Sequence, residues 1–122
     1  MIKLLRWLTR IAGLAAFVLG MMLSRIASAV TIRAHMTLGL IVALSLLVVA
    51  ITALGARIRL PVALVSVVWA AALVYVGIVQ NRLMPGSGHC VIEVLHAVLG
   101  IGAIGLVEMM AGAIARRGSS LR

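Results

Sequence analysis

The feature that most constrains this chain is a set of long runs without a charged side chain. Positions 34–56 and 60–81 hold no Asp, Glu, Lys or Arg, and positions 94–115 hold only Glu108. The hydrocarbon core of a bilayer is about 30 Å thick and a helix rises about 1.5 Å per residue, so about 20 apolar residues span it. Each run is long enough. A weaker candidate lies at the N-terminus, where the charge-free stretch covers only 11–24. It reaches spanning length by taking in Trp7 and Leu8 while Arg6 and Arg10 snorkel to the interface. Backbone polar groups in lipid must bond within their own segment, which favours helices. The expected fold is therefore all-α, a four-transmembrane-helix bundle forming one integral membrane domain over 1–122. Its spans are expected at about 7–27, 34–56, 60–81 and 90–115.

Composition agrees with a lipid environment. Hydrophobic residues make up 65% of the 122 and charged residues 11%, too few to cover a water-soluble surface. A soluble enzyme, a disordered tail and a disulfide-stapled secreted module are excluded on that ground. The single Cys90 forbids an internal disulfide. The net charge of +9 does not indicate nucleic acid, because the basic residues stand singly or in pairs between apolar runs. Trp7, Phe17, Trp69 and Tyr75 are also too few to form base-stacking platforms.

Those basic residues instead orient the chain. With the N-terminus inside, Lys3, Arg6, Arg10, Arg57, Arg59, Arg116, Arg117 and Arg122 lie on the inner side, against Arg25, Arg33 and Arg82 outside. The expected location is a bacterial inner (plasma) membrane with both termini cytoplasmic. Ala27-Ser28-Ala29 after a basic, apolar N-terminus also has the form of a signal-peptide cleavage site. The segment is read as a retained span, and either reading leaves the residues after Ala29 on the translocated side. Pro61 suits the first turn of the third helix, and Pro85-Gly86-Ser87-Gly88 an outer turn.

Ionisable groups inside a bilayer are costly and mark functional candidates. Here they are His35, His96, Glu93 and Glu108, with His89 near the outer loop. His35 stands 22 residues before Arg57 and His96 stands 20 before Arg116, so the two share a depth to within one helical turn. Both open an H-x-x-L-G sequence, His35 to Gly39 and His96 to Gly100. A glycine at i+4 lies on the histidine's own face, one turn deeper, and lets a flat ring rest against the backbone.

On those residues the chain resembles the four-helix membrane cytochromes b, in which histidines from different helices hold haem b. The resemblance implies one haem b held by His35 and His96 as iron ligands, with Gly39 and Gly100 packing on it. The first and third helices hold no histidine for a second haem. Arg33 and Arg82, on the outer side, are the cations expected near the propionates, and Met36 and Met84 are weaker ligand alternatives. The ring nitrogen of His35 not on iron is expected to use the carbonyl or hydroxyl of Thr31. The implied function is membrane electron transfer, exchanging with quinone or an oxygen species; any enzyme activity would be that of a haem-dependent oxidoreductase.

His89, Glu93, His96 and Gly100 fall within about 60° of one helical face. That stripe suits proton conduction or polarity at the haem edge better than a metal site, and a lone Glu-x-x-His lacks the other carboxylates of a di-iron bundle. Glu108, near the inner face, is expected to pair with Arg116, Arg57 or Arg59. Competing classes are a small multi-span transporter or channel and a cofactor-free structural subunit of a larger complex. Expected partners are the bilayer, quinone, and other membrane subunits or further copies of the chain.

Overall fold

A computed structural model describes residues 1–23, 25–56, 59–84 and 86–119. Four α-helices account for nearly all of them: α1 Ile2–Leu23, α2 Ala29–Gly55, α3 Leu60–Val79 and α4 His89–Ser119, with one 3₁₀ turn at Gln80–Arg82. All four are long and apolar enough to cross a membrane. The chain is an all-α four-helix bundle, as its charge-free runs predict. Arg57, Pro85 and Arg122, which entered the orientation and turn arguments, lie outside the described residues.

Helix bounds depart from the expected spans where polar residues support helix beyond the apolar run. Ser28 caps α2: its hydroxyl accepts from the Thr31 backbone N–H at 3.1 Å, and the Thr31 hydroxyl accepts from the Ser28 N–H at 3.0 Å. This reciprocal cap starts α2 at Ala29, so Arg33 lies inside its first turns. At the opposite end of the molecule, α3 starts after Arg59, whose backbone is left-handed (φ 46°), with proline in its first turn. Arg117 donates from Nη1 to the Ala56 carbonyl at 2.7 Å, tying the last turns of α4 to the end of α2.

α1 and α3 run one way, α2 and α4 the other. The start of α1, the end of α2, the start of α3 and the end of α4 share one end of the bundle, here called the terminal end, and the opposite helix ends share the other, here called the loop end. α2 and α4 touch across the middle, whereas α1 and α3 make no contact among the described residues. The core is concentrated in the half nearer the termini. There Leu46, Val49, Ala50 and Ala53 of α2 meet Ala103, Val107, Met110 and Ala111 of α4, with Ala63 and Ser66 of α3 beside them, all fully buried. Small residues let backbones approach closely, which matters in lipid because apolar burial alone does not drive helices together. Large side chains face outward instead, among them Leu14, Val30, Leu64, Val68, Ile78 and Val94. Toward the loop end the buried core thins: α2 has no buried residue before Val42, and α4 has only Ile92 before Ala103.

Candidate functional site

His35 and His96 meet in this less tightly packed half. Their ring centroids are 6.0 Å apart and the ring planes are inclined by 59°. Both are half-buried, His35 two turns into α2 and His96 two turns into α4. The equal depth argued from sequence therefore becomes a direct juxtaposition of two imidazoles from two helices running the same way.

Each ring is seated on a glycine of the preceding helix. A Cβ at Gly20 of α1 would stand 3.2 Å from His35 Cε1, and one at Gly77 of α3 would stand 3.1 Å from His96 Cε1. His35 Nδ1 lies 2.8 Å from the Ala16 carbonyl, which leaves Thr31 to the α2 cap rather than to the histidine. In a helix that carbonyl is also the acceptor for the residue four ahead, Gly20, so the bare α-carbon exposes it to the imidazole. His96 Nδ1 is buried and has no hydrogen-bond partner. Gly20, Gly77 and Ala16 were not among the residues the sequence singled out. A glycine inside a helix invites a packing explanation, but with 12 in the chain that signal does not discriminate.

The other expected site residues are spread around the pair. Gly39 and Gly100 follow one turn deeper, and no atom lies within 4 Å of where a Cβ would stand on either. Arg33 and Arg82 are exposed near the loop end. Met36 is exposed, and Met84 folds its methyl over Gly88. His89 Nε2 is 3.9 Å from Glu93 Oε1, and Glu93 is exposed one turn from His96. Glu108 belongs to a separate cluster at the terminal end. It is held by Arg6 and Arg10 of α1, where the sequence pointed to Arg116, Arg57 or Arg59; Arg57 lies outside the described residues. Arg10 Nε reaches Oε1 at 2.7 Å and Nη2 reaches Oε2 at 2.8 Å, while both Nε and Nη2 of Arg6 donate to Oε2.

The donor set can be tested against the group the resemblance implies. Among the described residues no three His, Cys, Asp or Glu side chains cluster to hold an ion. Two histidines do not complete the tetrahedral shell of zinc. They do suffice for a metal whose equatorial positions are filled by a macrocycle. The ring centroids are 6.0 Å apart, and His96 Nδ1 is buried without a partner. Two imidazoles on neighbouring helices are the number of donors the implied haem would need. No protein-family model, no curated protein and no solved structure matches this chain.

Proposed function

We propose that the chain is an integral membrane electron-transfer protein in which His35 and His96 hold one b-type haem between α2 and α4. The observation that carries this is the pair itself: two imidazoles from two helices running the same way, 6.0 Å apart, one fixed through its second nitrogen to a backbone carbonyl. When bound, the haem supplies reversible one-electron chemistry. The protein's part is to ligate, to shield and to set the hydrogen bonding around the ligands. With Nδ1 donating to the Ala16 carbonyl, His35 keeps Nε2 unprotonated as a ligand. Gly39 and Gly100 offer bare backbone below the histidines, and Arg33 and Arg82 offer cations to anionic groups at the loop end.

The bias of Lys and Arg toward the terminal end supports cytoplasmic termini in a bacterial inner membrane, with the histidine pair in the outer leaflet. A quinone dissolved in the bilayer, or an oxygen species at the loop end, is the electron partner of the right class. Gln80, Asn81 and His89 are polar groups at that level.

The test is a reduced-minus-oxidised visible spectrum of the purified chain from haem-replete cells. Bands of b-type haem are expected, lost in both His35→Ala and His96→Ala. A colourless preparation overturns the reading in favour of transport or scaffolding; loss in only one variant assigns the second ligand elsewhere.

A further inference from the structure

The bundle consists of two hairpins, α1–α2 and α3–α4, and each places a histidine of its second helix on a glycine of its first. The nearest histidine atom to the would-be Cβ is Cε1 in both cases, at 3.2 Å for Gly20 and 3.1 Å for Gly77. In the first hairpin the ring's Nδ1 has found the carbonyl four residues before the glycine, that of Ala16. In the second, the carbonyl at the equivalent step belongs to Leu73, and His96 Nδ1 is buried without a partner.

We infer that Gly20 and Gly77 are positioning residues that seat the two histidines, and that Gly20 also fixes its ring by baring the Ala16 carbonyl as an acceptor for His35 Nδ1–H. A proton held on Nδ1 leaves Nε2 as the only ring atom with a free lone pair. His35 is thereby fixed in the tautomer that can ligate iron through Nε2. In the first hairpin the bond is already made. In the second, the ring rests on Gly77 while His96 Nδ1 is buried without a partner. A side chain at Gly20 or Gly77 occupies the approach. Even a methyl must displace the ring by a few tenths of an ångström, and a leucine must expel it. The consequence for iron rests on the haem reading; the seating of the rings does not.

The experiment is nitrogen-15 NMR of the histidines at alkaline pH in the haem-free chain in micelles, with haem titration of the same samples. His35 is expected as the Nδ1–H tautomer in the unaltered chain. Gly20→Leu should release it to the commoner Nε2–H form, and Gly77→Leu should shift the His96 resonances alone. Gly105→Ala, with no atom within 4 Å of the new Cβ, serves as the fold control and should change neither. Haem retention should weaken about 10- to 100-fold in each leucine variant, the usual scale for losing a partner behind a metal ligand. Gly20→Ala, a gentler change, should show an intermediate tautomer population if the leucine variant does not fold. An Nε2–H His35 in the unaltered chain, or tautomers unmoved by substitution at Gly20, overturns the inference. If the tautomer results hold and no haem binds, the proposed function fails and the seating stands.

Discussion

Glu108 shows how much one residue can organise in so apolar a chain. The whole sequence holds two acidic side chains, and this one is shared by two guanidiniums of α1. Arg10 spans both carboxylate oxygens while Arg6 places two donors on one, so either arginine alone still leaves the carboxylate paired. The three residues therefore act as a unit. Arg6→Gln and Arg10→Gln should each lower the thermal midpoint in detergent less than Glu108→Gln does. The latter strands two cations on the first helix, and breaking a paired charge is costlier than removing the pair. The double change Arg6→Gln with Arg10→Gln should lose more than the sum of its singles; additive losses would show that the cluster is not coupled. Sequence reasoning recognised Glu108 as needing a basic partner but searched its own helix end and the α2–α3 turn. The partners stand on α1, 98 and 102 positions earlier, and only the bundle's circuit brings that helix against α4. The histidine pair was more legible because its members share a helix direction, so that depth could be counted from flanking charges.

At the scale of helices, the spans could be read from charge-free runs, whereas their ends and neighbours could not. The cap on α2 was present as Ser28 and Thr31, yet Ser28 is also the middle residue of Ala27-Ser28-Ala29, and the competing processing signal obscured the structural one. Contacts between helices depend on which face each presents. With apolar residues on all sides of α2, α3 and α4, no amphipathic pattern marks the buried stripe. Small residues carry the information instead. Trp69 of α3 packs its indole against Gly102 of α4 and donates from Nε1 to the Leu99 carbonyl at 2.8 Å. A Cβ at position 102 would come within 2.5 Å of the indole Cζ2, so the ring must move and the hydrogen bond must break. Overpacking costs about 1–3 kcal/mol and the lost bond about 1 kcal/mol, against a helix-propensity gain of up to about 1 kcal/mol for replacing glycine. Gly102→Ala should therefore destabilise the bundle by about 1–3 kcal/mol, with a shift in tryptophan emission as the indole is displaced. Gly105→Ala on the same helix has only the propensity gain and should be neutral or stabilising. Equal melting of the two variants would refute the contact between α3 and α4.

For the whole molecule, the two ends of the bundle are chemically different, and that difference bears on how it sits in a membrane. The terminal end holds the tightly packed alanine and valine core, the Arg6–Glu108–Arg10 cluster and the Arg117 tie to Ala56. The loop end holds the histidine pair under a thinner core, with the α1–α2 and α3–α4 connections above it. A tightly packed base with a less tightly packed loop end suits the proposed haem, which would enter between helices already formed. The proposed orientation puts this base in the cytoplasm, and the chain carries its own reporter for it. Cys90 is its one cysteine, exposed in the first turn of α4 at the loop end, with its thiol 3.5 Å from the Ser87 carbonyl. A membrane-impermeant maleimide applied to intact spheroplasts should label it without permeabilisation, and Cys90→Ser should abolish the labelling. Modification confined to inside-out vesicles would reverse the bundle. The histidine pair would then lie in the cytoplasmic leaflet, and an electron partner at the outer surface would no longer be within reach of the site.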